Sequence, residues 1–351
     1  MAPDDDQTST RDKPRRAVPT LEEVAALAGV SRSTASRAIN GGARVSAAAQ
    51  AAVDKAIAEL SYTPNRAARS LVTRRTDSIA LVIPEPDERV LTDPFFSATL
   101  NGLSSALASS DLQLVLIIAR PGESDRTRRY LRNGHVDGAV VVSHHEADRL
   151  DTLLAESRLP AVFVGRPLNE IGRLNYVDVD NYGGGRLAAE HIVKTGRTRI
   201  GMIAGPQDMA AGRDRLRGWK DMLTEHGLAT DAVETSDFTT VTAIEATQRL
   251  LDKHPDIDAI IAGSDLIAVG AINVLRERGH SVPDDVAVIG FDNLGVSTSP
   301  ALTTLTNPVV AMARTAGQLL LEILEDDDVE PQHKQFSPDL VVRGSTAPAK
   351  G

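Results

Sequence analysis

Residues 20–75 read TLEEVAALAGVSRSTASRAINGGARVSAAAQAAVDKAIAELSYTPNRAARSLVTRR, and this stretch decides the fold of the N-terminal part of the chain. Thr20 and Glu23 have the spacing of a capping box ahead of a short apolar run. Gly29 supplies the left-handed residue that ends the first helix. The apolar face of this helix is expected to contain Leu21, Val24, Ala25, Leu27 and Ala28.

Ser31 is expected to cap a second helix from Arg32 to Ile39, and Ser46 a third at about residues 47–60. Two short helices joined by a glycine turn and followed by a third are typical of a helix-turn-helix, whose second helix enters the DNA major groove. Arginine reads guanine there, and hydroxyl groups bind phosphates or base edges. The alternative is a solvated helix face without DNA contacts. The exposed face of the second helix contains Arg32, Ser33, Thr34, Ser36 and Arg37.

Charge separates this stretch from the rest of the chain. Residues 13–75 contain 11 Lys and Arg against 4 Asp and Glu, whereas the whole chain has a net charge of -10. A basic head on an acidic body is typical of a modular DNA-binding protein. Thr63-Pro64-Asn65 ends the third helix and begins a marginal, basic helix in which Leu71 could wedge between base steps of the minor groove. Leu71 could equally pack between domains.

Composition excludes several classes of protein. The chain has 351 residues and no cysteine, so disulfides and thiolate chemistry are excluded. The polar N-terminus is not a secretory signal, and no apolar run approaches the roughly 18 residues of a membrane span. We therefore expect a soluble cytoplasmic protein with no membrane partner and a disordered tail at residues 1–18.

Aliphatic runs alternate with amphipathic stretches from residue 76 onward, which predicts parallel sheets covered by helices on both faces, an α/β body. Ligands bind such sheets beyond the strand carboxyl ends. Gly183-Gly184-Gly185 fits neither a dinucleotide nor a P-loop motif, and we interpret it as a helix start near a domain crossover. The expected strands are 78–83, 113–119, 138–143, 161–164, 199–203, 259–262 and 286–290, and the expected helices are 96–109, 125–134, 146–157, 182–195, 213–226, 242–253, 265–279 and 309–325.

Residues 19–75 closely resemble the DNA-binding head of the lactose-repressor family. The matching motifs are T-x-x-x-V-A-x-x-A-G-V-S at 20–31, T-x-S-R-x-x-N at 34–40, V-S at 45–46 and L-x-Y-x-P-N at 60–65. Ala49 departs from the family, which usually has a phosphate-binding Thr there. The resemblance implies a hinge helix at 65–72 with Leu71 as the wedge. It implies DNA contacts from Thr20, Arg32, Ser33, Thr34, Ser36, Arg37, Asn40, Asn65, Ala68 and Leu71.

The resemblance extends over nearly the whole chain and implies a body of the type I periplasmic-binding-protein fold. It implies two subdomains joined by three crossovers near 178–181, 305–308 and about 334, with a small molecule in the cleft between them. The expected domains are a tail at 1–18, a helix-turn-helix domain at 19–64, a hinge at 65–75 and an effector-binding and dimerisation domain at 76–345. In that last domain, the first subdomain comprises about 76–179 and 308–334, and the second about 180–307 and 335–345.

Two family motifs, R-x-x-G-[FW] and G-[FY]-D, match Arg215 to Trp219 and Gly290 to Asp292, which implies effector contacts from Arg215 and Asp292. From the residues alone, without the resemblance, Phe95 and Phe96 would be interpreted as core residues and Asp265 as a helix cap. Paired histidines at 144 and 145 suggest a metal, but adjacent residues cannot easily share one tetrahedral ion. The further effector contacts implied are Asp93, Phe95, Phe96, Ser143, Phe238, Ser264 and Asp265.

The resemblance and the residues together predict a transcriptional regulator, expected to be a repressor, that binds a pseudopalindromic operator as a homodimer. A sugar-like small molecule in the cleft would control it, with no cofactor and no metal. A nucleobase-type effector and a transporter's solute-binding protein are the alternatives. An enzyme is disfavoured, because the sequence has no nucleotide fingerprint, nucleophile elbow or metal-ligand spacing.

Overall fold

The computed structural model describes residues 19–40, 45–63, 75–120, 122–169, 171–296, 298, 301–326 and 330–346. The chain divides between Arg75 and Thr76 into two compact units, a head and a body.

The described part of the head contains three helices: α1 (Leu21–Leu27), α2 (Arg32–Ile39) and α3 (Ala47–Leu60). Thr20 and Glu23 make both hydrogen bonds of the capping box on α1. The side chains of Ser31 and Ser46 accept hydrogen bonds from the third residues of α2 and α3. Gly29 has a φ of +66°, as the turn after α1 requires. The expected helix-turn-helix is confirmed.

The small core of the head is built around Val24, Ala35 and Val53, which are buried between the three helices. Leu27 does not join it, contrary to the prediction, and is 47% exposed. At 100° per residue, Leu27 lies roughly 110° around α1 from the centre of the face that Val24, Ala25 and Ala28 share.

Twelve strands and nine further helices form the described body. The strands are β1 (Ser78–Ile83), β2 (Gln113–Ile118), β3 (Gly138–Val142), β4 (Ala161–Val164), β5 (Asn175–Val179), β6 (Ile200–Ala204), β7 (Val233–Thr235), β8 (Ala259–Ala262), β9 (Ala287–Asp292), β10 (Thr303–Thr306), β11 (His333–Phe336) and β12 (Leu340–Val341). The helices are α4 (Asp87–Thr92), α5 (Pro94–Leu107), α6 (Ser124–Arg132), α7 (Leu150–Glu156), α8 (Asn181–Lys194), α9 (Ala210–Glu225), α10 (Thr240–Lys253), α11 (Asp265–Glu277) and α12 (Val309–Glu325).

The strands form two six-stranded sheets with the same order. The first sheet has the order β11-β5-β4-β3-β1-β2, and the second β12-β10-β9-β8-β6-β7. Every pair is parallel except β10 with β12. We call the first sheet with its helices the N-lobe and the second sheet with its helices the C-lobe. The expected α/β body of two parallel-sheet subdomains is confirmed.

Both faces of each sheet are buried. Along β1, Ile79, Leu81 and Ile83 belong to one apolar cluster, and Ala80 and Val82 to another on the opposite face. Because successive side chains of a strand alternate between faces, this continuous aliphatic run requires helices on both sides.

The chain passes between the sheets three times. It leaves the N-lobe after β5, returns between β10 and α12, and crosses again between β11 and β12. The prediction placed the third passage near residue 334, but that residue lies inside β11, and the chain crosses at residues 337–339 instead. Among the described residues, no helix is long and apolar enough to cross a membrane.

Candidate functional site

A cleft opens where the carboxyl ends of the strands of both sheets face each other. Its wall includes Ser143 after β3, Arg166 after β4, Asn181 after β5, Ser264 after β8 and Asn307 after β10. The atom-free space is about 770 Å³, part of it open to solvent.

Arg215 on α9 is the central cation of the cleft and is only 5% exposed. Its Nε donates to Asn181 Oδ1 at 2.8 Å, and its Nη1 donates to the carbonyl oxygen of Gly263 at 2.5 Å. The guanidinium lies 3.5 Å from the centroid of the Phe291 ring. Such a fixed guanidinium presents its remaining N–H donors in a rigid geometry.

Asp292 at the end of β9 is the counterpart of Arg215. Its Oδ1 is 3.9 Å from Arg215 Nη2 and accepts a hydrogen bond from Asn307 Nδ2 at 3.1 Å. Burial raises the pKa of Asp292 to about 7, although the charge of Arg215 opposes the shift. Asp292 also has a φ of 122°, which is rare for a residue with a side chain. Backbone held in such a region is frequent at binding sites.

Phe238 closes one side of the cleft and also has a positive φ, of 69°. Its ring lies directly over Gly205, where any β-carbon would come within 2.2 Å of a ring atom. Two guanidinium groups approach this ring, that of Arg89 at 5.5 Å and that of Arg215 at 6.0 Å. Phe238 therefore provides an apolar surface between two cations.

The N-lobe wall is built around Arg89 on α4. Arg89 donates a short hydrogen bond from Nη1 to Glu85 Oε1, which also accepts one from Ser143 Oγ at 2.5 Å. Asp93 caps α5 by accepting a hydrogen bond from the backbone N–H of Phe95 at 2.9 Å. Burial raises the pKa of Asp93.

Charged side chains join the two lobes at the edge of the cleft. His145 of the N-lobe lies 3.1 Å from Glu85 Oε1 and 2.9 Å from Asp208 Oδ2 of the C-lobe. Burial alone would lower the pKa of His145, but the two carboxylates overcome that effect and raise the pKa to about 9. Two further ion pairs, Arg213–Glu146 at 2.7 Å and Arg166–Asp214 at 2.5 Å, also cross between lobes. These ion pairs connect the two lobes directly across the edge of the cleft.

Seven of the nine predicted effector contacts line the cleft, namely Asp93, Phe95, Ser143, Arg215, Phe238, Ser264 and Asp292. Phe96 does not line it, because it is turned into the N-lobe core at 3% exposure, edge-on to Phe95. Asp265 lies behind the wall, where it accepts hydrogen bonds from Thr304 Oγ1 and the backbone N–H of Asn293.

The alternative prediction, that Asp265 caps α11, is also wrong. The Ser264 side chain caps this helix by accepting a hydrogen bond from the backbone N–H of Ile267. Burial raises the pKa of Asp265 to about 6. His144 and His145 do not share a ligand set, because His144 lies 3.3 Å from Asp151 Oδ2 and His145 contacts Glu85 and Asp208.

Several polar residues of the cleft were missed by the sequence analysis. Arg89 lies in a polar stretch that was not recognised as a helix, and Asn307 follows a strand that was not predicted. Asp178 and Asn181 flank a crossover that the sequence did indicate. Burial raises the pKa of Asp178 to about 6. The predicted crossovers near 178–181 and 305–308 were the signal that could have identified Asp178, Asn181 and Asn307, and no such signal marks Arg89.

The exposed face of α2 is the candidate DNA-binding surface of the head. Arg32, Ser33, Ser36 and Arg37 line one shallow groove on it. Arg32 Nε donates to Glu22 Oε1 at 2.6 Å, and both side chains are exposed. This side-by-side placement of arginines and hydroxyls suits contacts to phosphates and base edges.

Three other predicted DNA contacts are partly engaged within the head. Thr34 Oγ1 lies 2.9 Å from Ser31 Oγ, Thr20 is occupied by the capping box, and Asn40 Nδ2 donates to the carbonyl oxygen of Ser36 at 2.8 Å. The hinge helix at 65–72, with Asn65, Ala68 and Leu71, and the tail at 1–18 lie outside the described residues.

Comparisons with known proteins agree with both units. The family model of bacterial regulatory proteins, lacI family, matches residues 20–65, and that of a periplasmic binding protein-like domain matches residues 189–346. The ribose operon repressor of Halalkalibacterium halodurans is 32% identical over 93% of this chain and 97% of its own length. A crystal structure of the lac repressor dimer bound to operator and the anti-inducer ONPF has a TM-score of 0.80 at 26% identity, over 94% of this chain and 99% of that one. The chain therefore belongs to the lacI family and is a DNA-binding transcriptional regulator.

Within that family, the chain is similar to the HTH-type transcriptional regulator CelR of Thermobifida fusca. The two are 44% identical over 337 residues, which is 94% of this chain and 99% of CelR. A structure of a CelR–cellobiose complex has a TM-score of 0.74 at 42% identity, over 93% of this chain and 99% of that one.

Proposed function

We propose that this regulator binds a pseudopalindromic operator as a homodimeric repressor and that a neutral saccharide of the cellobiose type controls it from the cleft. The observation that carries the saccharide assignment is the buried Arg215 with its half-buried counterpart Asp292, together with the apolar ring of Phe238 next to Arg215. Charged donors and acceptors next to an aromatic face suit a sugar, whose hydroxyls are polar and whose C–H faces are apolar.

The balance of charge in the cleft supports a neutral ligand. Its cations are Arg89, Arg166 and Arg215, and its carboxylates are Asp93, Asp178 and Asp292. An anionic ligand such as a sugar phosphate would face as many carboxyl groups as guanidinium groups in a poorly solvated space. Its charge would be compensated only if those carboxyl groups, whose pKa values burial raises, took up protons. The similarity to CelR, whose complex contains cellobiose, supports a β-linked glucose disaccharide as the particular saccharide.

Each of the two units has its own function in this proposal. In this proposal, residues 19–64 form the DNA-binding domain, 65–75 the hinge and 76–345 the effector-binding and dimerisation domain, and the chain catalyses no reaction. The saccharide would couple to DNA only through a difference in its affinity for two arrangements of the lobes. The ion pairs from His145, Arg213 and Arg166 to the C-lobe support a closed arrangement that a ligand can favour.

Calorimetric titration of the full chain tests the ligand class. The panel contains cellobiose, maltose, glucose 6-phosphate and adenine. We expect saturable 1:1 binding of cellobiose with micromolar affinity and at least 10-fold weaker binding of the other three. Preferred binding of adenine would favour the nucleobase-sensor alternative, and preferred binding of the phosphate would contradict the argument from charge.

A second experiment separates the regulator from a solute-binding protein. Operator sites are selected from a random duplex pool with the full chain and with a truncated chain lacking residues 1–75. Enrichment of a two-fold symmetric site by the full chain alone supports the proposal. Failure of the full chain to enrich any site, with or without cellobiose, would refute operator binding.

A further inference from the structure

Three buried side-chain nitrogen and oxygen atoms without a hydrogen-bond partner in the described structure belong to residues that line this one cleft. They are Arg89 Nε, Asn307 Oδ1 and His144 Nδ1, whereas His144 Nε2 lies 3.3 Å from Asp151 Oδ2. Buried polar atoms are almost always hydrogen-bonded, because an unsatisfied one costs free energy. Their concentration in a ligand cleft indicates atoms that a ligand satisfies.

Arg89 is the most constrained of these residues. Its side chain is 9% exposed, and its Nη1 group is engaged by Glu85. Its Nε lies 3.9 Å from Asp93 Oδ2, which is beyond hydrogen-bond distance. The guanidinium also lies 5.7 Å from the centroid of the Phe96 ring and 5.5 Å from that of Phe238. These contacts fix the guanidinium and leave its Nε–H as a preorganised donor.

Glu85 holds Arg89 through a network that reaches the other lobe. Besides Arg89, Glu85 Oε1 contacts Ser143 Oγ at 2.5 Å and His145 Nε2 at 3.1 Å, and His145 in turn contacts Asp208 of the C-lobe. Glu85 is therefore a positioning residue. A donor that is held before the ligand arrives loses little entropy on binding.

We propose that Arg89 is a specificity-determining residue that donates a hydrogen bond from Nε–H to one hydroxyl oxygen of the bound saccharide. This inference rests on the proposed function. The ligand must offer an acceptor to Arg89 and a donor to Asn307, whose Nδ2 already donates to Asp292 and whose Oδ1 is therefore an acceptor. A saccharide satisfies both, because every hydroxyl is a donor and an acceptor.

A cycle of protein and ligand changes tests this contact. Calorimetry measures the Kd of cellobiose and of its monodeoxy derivatives for the full chain and for Arg89→Met. A hydrogen bond to a charged group in a buried site corresponds to an affinity change of about 10- to 100-fold. One deoxy derivative should bind the wild-type chain more weakly than cellobiose by that factor. The same derivative should bind Arg89→Met less than about 3-fold more weakly than cellobiose does.

Two other variants secure the interpretation. Arg120→Met is the matched control, because Arg120 pairs with Asp87 of the same helix α4 but is exposed outside the cleft, and its cellobiose affinity should not change. Arg89→Lys keeps a cation beside Glu85 and Asp93 if Arg89→Met does not fold. It should still lose the sensitivity to the same hydroxyl.

The outcomes separate this inference from the proposed function. If the wild-type chain binds cellobiose and every deoxy derivative loses the same factor with and without Arg89, the contact is refuted and the saccharide function stands. If the wild-type chain binds no saccharide, the proposed function fails and the contact fails with it.

Discussion

Affinity for the saccharide should fall steeply as the pH drops through neutrality, because Asp292 changes charge there. Burial raises the pKa of this carboxyl to about 7. The ionised carboxylate accepts hydrogen bonds strongly on both oxygens, whereas protonation turns one oxygen into a donor and weakens the acceptors, and Asn307 already donates to Oδ1. The saccharide should therefore bind chains in which Asp292 is ionised. Chains in which Asp292 is protonated should release that proton when the saccharide binds.

The magnitude follows from the pKa. With a pKa of about 7, roughly one molecule in ten is ionised at about pH 6 and roughly nine in ten at about pH 8. Affinity should therefore be about 10-fold weaker at the lower pH. Binding should release about 0.5 proton at about pH 7 and roughly 0.1 at about pH 8.

Calorimetry in buffers of different ionisation enthalpy measures both the Kd and the released protons. Asp292→Asn should bind weakly and without pH dependence over this range. Asp265→Asn is the matched control, since Asp265 is also a buried acid of raised pKa but lies behind the cleft wall; it should keep the dependence, with the midpoint moved to lower pH because the charge of Asp265 helps to raise the pKa of Asp292. An affinity that is constant from about pH 6 to pH 8, with no proton release, would refute the role of Asp292.

Three further changes test other parts of the account. His145→Gln should lower the free energy of unfolding of the body by up to about 3 kcal/mol, measured by urea unfolding. Because folding raises the pKa of His145 from 6.5 to about 9, this loss of stability should be full below about pH 6.5 and vanish as the pH rises through about 9. A loss of stability that grows with pH would contradict the cross-lobe ion pairs. Gly185→Ala should cost about 1–3 kcal/mol by thermal unfolding, because its β-carbon would lie 2.2 Å from the carbonyl oxygen of Arg215, whereas Gly172→Ala, with open space around it, should cost almost nothing. Arg37→Ala should lose about 1–3 kcal/mol of binding to the selected operator and little on random duplex, while an equal loss on both would make Arg37 a phosphate contact.

The sequence predicted those parts of the fold whose causes are local. The caps at Thr20, Ser31 and Ser46 are hydrogen bonds between near neighbours, and the three helices of the head begin where those residues predict. The long aliphatic runs of the body likewise predicted its central strands. Arg215 and Asp292 were found through family motifs, and both line the cleft.

The remaining elements depend on contacts between distant residues. Strand β10 consists of Thr303–Thr306, and its buried hydroxyls are satisfied by partners about 40 residues away, such as Thr346 Oγ1 at 2.8 Å from Thr303 Oγ1. Strand β11 reads HKQF and lies at a sheet edge beside β5. Neither strand has an aliphatic pattern, so periodicity could not identify it.

Arg89 shows the same limit within the site. Its importance comes from Glu85, Phe238 and the cleft around it, and Phe238 lies on the other lobe. Nothing in the local sequence distinguishes it from an exposed arginine of a polar helix.

The coupling between the cleft and the operator is the central claim, and reciprocal titration tests it most directly. The operator Kd is measured with and without saturating cellobiose, and the cellobiose Kd is measured with and without saturating operator, at one stated salt concentration. The account predicts that cellobiose changes operator affinity by at least about 10-fold and that the operator changes cellobiose affinity by the same factor. Equal affinities in the presence and absence of the other ligand would contradict it.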